Sequence, residues 1–157
     1  TEKMCPPAYH EYPASEIPTE IRDNGTTLRV ITGATSAQTI GPVQGVATDP
    51  VYLDVTLPAD CTLTEPMPNG HTAFIFVIDG ELTLPDGENT PALLSATQLG
   101  TLSNGAAVCV TAGDASARFL LVAAKPLNEP IARYGPFVMN TRHEIEQAVA
   151  DYNAGRF

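Results

Sequence analysis

The chain has no tryptophan, three cysteines, three histidines, and only eight lysines and arginines against eighteen acidic residues in 157 positions. Each shortage removes a class of function. Nucleic acid is a polyanion gripped by clustered Lys and Arg. Here the net charge is −10 and the few basic residues are scattered from Lys3 to Arg156, so no direct nucleic-acid contact is expected. Cys5, Cys61 and Cys109 are odd in number, far apart and without CxxC spacing, which excludes a Cys-based zinc site and a thioredoxin-like pair. Reduced thiols fit a cytosolic compartment, or a nuclear one in a eukaryote. No apolar run approaches the ~18 residues of a membrane span, and no basic, then apolar, leader precedes the first strand. The chain starts at Thr1 rather than Met, as is expected of a processed chain, a fragment or a trimmed one.

What is present is ordinary globular material: 43% apolar residues, a mean hydropathy near zero, and enough length for one core. Residues 1–26 are Pro-rich and without apolar periodicity, and read as an extended segment lying over another surface. Strand signals begin at Thr27. VYLDVTL at residues 51–57 alternates, with Val51, Leu53, Val55 and Leu57 on one face, the period of a strand buried on one side. Short apolar runs follow at about ten-residue spacing with turn signals between them. This is the pattern of an all-β sandwich or barrel. One helix closes the chain: Thr141 and Glu144 form a capping box, Ile145, Ala148, Val149 and Tyr152 make one apolar stripe, and Gly155 ends it.

The segment EPMPNGHTAFIFVIDGELTL at residues 65–84 organises the rest. Residues 72–78 are β-branched and aromatic, hence a buried strand. Asp79-Gly80 between two apolar runs predicts a hairpin. The whole resembles the first motif of the cupin barrel. In a metal-binding cupin that motif supplies two histidines and, seven positions before the glycine, a glutamate. Counted back from Gly80, the glutamate falls on Ala73, and the histidines on Pro66 and Pro68 or on Met67 and Asn69. None of these ligates a hard cation, Met67 being a soft thioether, and His71 is off the pattern. No histidine lies between His71 and His143, so the second motif has lost its ligand too.

The remaining candidates read as structural. His10, beside Tyr9 and Glu11, and His143, in the first helical turn, are expected at the surface. The carboxylates of Asp79, Glu81, Asp86 and Glu88 are expected to form a solvated rim. Cys109, in the run AAVCV, is expected to be a small core residue, and Cys61 to sit in a turn. No GxSxG and no Cys–His pairing supports nucleophilic catalysis. No catalytic, cofactor-binding or metal-ligating residue is assigned to this chain.

KPLNEPI at residues 125–131, RYGPFVMNT at 133–141, DY and GRF near the end, DPVYLDV at 49–55 and MCPPAY at 4–9 together resemble the pirin family over nearly the whole chain. Ala123-Ala124 departs slightly, where the family more often has glycines. The resemblance implies the C-terminal, metal-free cupin of a two-cupin protein whose N-terminal cupin holds iron. It therefore implies a cupin-type β-barrel or jelly roll with one C-terminal α-helix: an inter-domain segment at 1–26, the barrel at 27–139 and the helix at 140–157. Fe(II) is expected in the N-terminal half, whose ligands have no counterpart here. The parent would be an iron-dependent quercetin dioxygenase or a redox-sensing transcription co-regulator that binds regulatory proteins. This chain would be scaffold and interaction surface, pairing with the N-terminal half or with itself. The alternative is a stand-alone small-ligand-binding or oligomerising cupin module.

Overall fold

Alternation of apolar and polar side chains builds a series of antiparallel strands. In chain order they are β1 (Thr19–Ile21), β2 (Thr27–Thr32), β3 (Val51–Leu57), β4 (Thr62–Pro66), β5 (Thr72–Asp79), β6 (Glu81–Leu84), β7 (Ala92–Ser95), β8 (Leu99–Thr101), β9 (Ala107–Ala112) and β10 (Ala117–Ala124). The computed structural model describes residues 5, 6, 8–85 and 91–156. Its chain divides into two units, residues 11–126 and residues 1–10 with 127–157.

The larger unit holds a six-stranded sheet in the order β1-β2-β3-β10-β5-β8 and a four-stranded sheet in the order β4-β9-β6-β7. From β3 to β10 every connection except β6 to β7 carries the chain from one sheet to the other. That is the jelly-roll solution to burying two inner faces. Leu53, Val55, Ile75, Val77, Phe119 and Leu121 on one sheet and Leu63, Leu82 and Val110 on the other form its core. Expected and observed strands agree from β2 to β10, with β4 as the exception. The expected all-β barrel with one helix is the fold observed.

Three expectations are corrected. Asp79-Gly80 is not a hairpin: β5 pairs with β10 and β8, whereas β6 pairs with β7 and β9. A single residue at φ +76 turns the chain from one sheet to the other. It must be glycine, because a Cβ there would meet the Ser116 carbonyl oxygen at 2.5 Å. Cys109 is half-exposed rather than core, since Val108 and Val110 take the inward positions of β9. Strands β1 and β4 were not foreseen. Both are edge strands of mostly polar sequence, and a proline ends β4, where it removes no central ladder bond. Of the expected acidic rim, Asp79 and Glu81 are exposed, while Asp86 and Glu88 lie outside the described residues.

The smaller unit contains a hairpin of β11 (Ala132–Tyr134) and β12 (Phe137–Met139) and the helix α1 (Arg142–Asn153). The capping box forms as expected: Glu144 N–H donates to Thr141 Oγ1, and the Thr141 N–H donates to the Glu144 carboxylate at 2.8 Å. These bonds from Thr141 hold the Glu144 carboxyl below its usual value. Gly155 adopts φ 66 just beyond the C-cap, Ala154. The helix packs on its own hairpin, with Tyr152 edge-on to Phe137 at 5.9 Å. It is too short to cross a membrane, and among the described residues no helix is long and apolar enough to do so.

Candidate functional site

The positions that motif spacing assigns to metal ligands lie on β5 and on the approach to it. Ala73, Ile75 and Val77 form the inward row of β5, and Met67 is also buried, while Pro66, Pro68 and Asn69 are exposed. Of the two buried side chains at these positions only the Met67 thioether carries a lone pair, the Ala73 methyl having none, and a single soft sulfur does not fit iron. Among the described residues no three His, Cys, Asp or Glu side chains converge on a point that could hold a metal.

The histidines fall in different settings. His10 and His143 belong to the smaller unit and are exposed, as expected. His71 belongs to the larger unit, and its side chain is 1% exposed. It continues the inward row of β5 by parity. Its Nε2 lies 2.8 Å from the Asp49 carbonyl oxygen. A carbonyl only accepts, so Nε2 carries the proton. Nδ1 is then a bare acceptor, buried and without a partner among the described residues. The Asp49 carboxylate stands 3.9 Å from Nε2 and is paired with Lys125 Nζ at 3.2 Å.

A second buried polar group was not foreseen at all. Glu65 lies on the inward row of β4 between Leu63 and Met67, with no exposed surface. Its carboxylate accepts from Arg22 Nη2 at 2.5 Å, from Ser36 N–H at 2.6 Å and from Ser36 Oγ at 3.1 Å. Arg22 Nε donates to Glu20 at 2.9 Å, and Thr35 Oγ1 donates to the other Glu20 oxygen. Burial pushes the Glu20 carboxyl up, but hydrogen bonds from Thr35, Arg22 and Thr39 and the Arg22 charge outweigh it and hold the group below its usual value. For Arg22 burial pulls down, and Glu65 and Glu20 more than compensate. The cluster sits where the edge of one sheet, β1, meets the edge of the other, β4, and it ties both to the loop after β2. It is an ionic seam, saturated internally, and not a cation site. The signal for it was the alternation Leu63-x-Glu65-x-Met67, which places a glutamate on an inward row.

The two sheets present different outer faces. That of the four-stranded sheet carries Thr62, Thr64, Thr83 and Thr111, with Thr62 and Thr111 hydroxyls 2.8 Å apart. On the six-stranded sheet the outer side of β8, β5 and β10 is apolar, with Phe74, Phe76, Leu120 and Val122 half-buried and Ile78 and Leu99 exposed, and it gives way to the Asp54–Arg118 ion pair toward β3.

The sequence pattern of the Pirin C-terminal cupin domain matches residues 52–157. The chain is 40% identical over 155 residues to a pirin-like protein of Caulobacter vibrioides, covering 99% of this chain and 54% of the relative. It is 36% identical over 154 residues to the pirin of Homo sapiens, covering 97% of this chain and 51% of the relative. Among solved structures, a quercetin 2,3-dioxygenase from Acinetobacter baumannii superposes with a TM-score of 0.86 at 34% identity, over 99% of this chain and 52% of that one. An RmlC-like cupin from Shewanella frigidimarina, 8% identical with a TM-score of 0.52 over 77% of this chain and 95% of that one, shares the fold. The chain spans about half the length of the curated relatives it matches.

Proposed function

The chain belongs to the pirin family, and from that premise we propose that it is the structural half of a two-cupin protein. Its task is to dock and support a second cupin that these 157 residues do not contain. The observation that carries this reading is the contrast between the faces of the barrel. The inward row of β5 offers no ligand set for iron, while the outer side of β8, β5 and β10 carries a contiguous apolar stretch of Leu99, Phe74, Phe76, Ile78, Leu120 and Val122. Exposed contiguous apolar surface marks an interaction site, and a relative twice as long supplies the occupant: its other half. Iron-dependent chemistry, including oxygenation of a flavonol of the quercetin type, belongs to that half. The acidic surface and scattered basic residues favour protein partners over nucleic acid in any regulatory role.

Sedimentation velocity of this chain tests the docking face. Left unpartnered, the apolar face should pair with itself, so the sedimentation coefficient should rise with concentration. Leu99→Glu, at a 54% exposed position, should restore the monomer. A chain that stays monomeric at high concentration, or a variant that associates as the parent does, contradicts the reading.

A further inference from the structure

The end of the barrel beside His71 carries a feature that docking does not use. Through the middle of the barrel the inward residues are sealed: Leu28, Leu53, Ile75, Val110, Phe119 and Leu121 are all 0% exposed. At one end the seal loosens. Val51, Met67, Ala73 and Val108 on the inward rows, and His71, keep between 5% and 9% exposure. The side chains around this opening are small or flexible, Ala73 facing Ala123 across the β5–β10 ladder and Met67 able to shift its shape. They are apolar apart from His71 and Thr32, whose hydroxyl already donates to the Val43 carbonyl. The charged groups at the rim, Asp49 and Lys125, are paired with each other.

Into this setting the fold places one bare acceptor. The Asp49 carbonyl fixes the proton on Nε2, so Nδ1 presents a lone pair on the other edge of the ring, buried and unpartnered. Leaving a buried acceptor unsatisfied is costly, and no described residue supplies a donor. We propose that this end of the barrel is a binding site for a small neutral molecule with an apolar body and one hydroxyl, which donates its hydrogen bond to His71 Nδ1. Neutrality follows because the charged inward residue beside the opening, Glu65 opposite Val108, is already bonded to Arg22 and Ser36. A single hydroxyl follows from the single acceptor. The inference stands apart from the docking reading, since a barrel can use its outer face for a partner and one end for a ligand.

The test uses the whole chain with histidine labelled by nitrogen-15, and compares phenol with anisole, which has the same ring and no donor. Phenol should shift the His71 Nδ1 resonance saturably and leave Nε2 protonated. Anisole should bind about tenfold more weakly, the worth of one hydrogen bond to a buried neutral group. His71→Phe should bring phenol to the affinity of anisole. Failure of phenol to shift the resonance saturably would mean that Nδ1 is served by water alone and would overturn the proposal. Equal binding of phenol and anisole to the unaltered chain would overturn it as well, because His71 would then read no hydroxyl. The comparison of the two probes needs no variant, so it holds even if His71→Phe does not fold.

Discussion

Replacing Arg22 with methionine probes the seam between the sheets. The change keeps most of the aliphatic stem and removes the one cation that, among the described residues, lies within bonding reach of two carboxylates, Glu65 at 2.5 Å and Glu20 at 2.9 Å. Glu65 has a side chain 1% exposed and cannot turn to water, so the substitution strands a buried charge. Breaking a buried pair from one side costs roughly 3–5 kcal/mol. Arg22 keeps 23% of its side-chain surface in contact with solvent, which screens the pair and places the cost at the low end, about 3 kcal/mol. That is a large share of the total stability of a domain. With a urea slope of roughly 2 kcal/mol per molar, the midpoint of urea unfolding should fall by about 1.5 M. Adding Glu65→Leu to Arg22→Met should recover most of the loss, because a buried ion pair and a well-packed apolar pair are often close in energy. A double-mutant cycle should therefore give a coupling of about 2 kcal/mol. A single substitution costing less than about 1 kcal/mol, or a double variant no more stable than the single one, would refute the reasoning.

Two further outcomes follow from the same geometry. Glu20 has a depressed carboxyl, so its contribution is present above the unfolded value and is lost as pH falls through the folded one. The urea midpoint should be flat above about pH 5 and decline below it, and Glu20→Gln should flatten that decline while lowering the plateau. Gly80→Ala forces φ +76 on an L-residue and drives a Cβ to 2.5 Å from the Ser116 carbonyl oxygen. It should cost at least about 2 kcal/mol, seen as a fall in the thermal midpoint, whereas alanine at Gly45, also at positive φ but with open space around it, should cost less.

The fold was legible where one side of a strand is buried and the other is not. Alternation placed β3, β-branched and aromatic composition placed β5, and Thr141 with Glu144 placed the helix start to the residue. The reading failed where sequence is silent about pairing. Asp79-Gly80 looks like a hairpin because both flanks are strand-like, but whether two consecutive strands share a sheet depends on what packs against the turn, here Ser116 and Ala117. Cys109 was placed in the core from the apolar character of its neighbours, when the parity of β9 turns it outward. In the candidate site, motif spacing singled out Ala73 and Met67, both buried in the structure. The buried polar groups were not legible. Glu65 and Arg22 are 43 residues apart in sequence, and no local pattern joins them. The burial of His71 follows from a parity that its flanking Asn69-Gly70 conceals.

Metal content tests the central claim, that this cupin keeps the frame of a metal site without its chemistry. The whole chain would be loaded anaerobically with ferrous iron, desalted and analysed for the element. The account predicts iron far below one per chain, unchanged in His71→Phe. Stoichiometric iron, lost on replacing His10, His71 or His143, would contradict it.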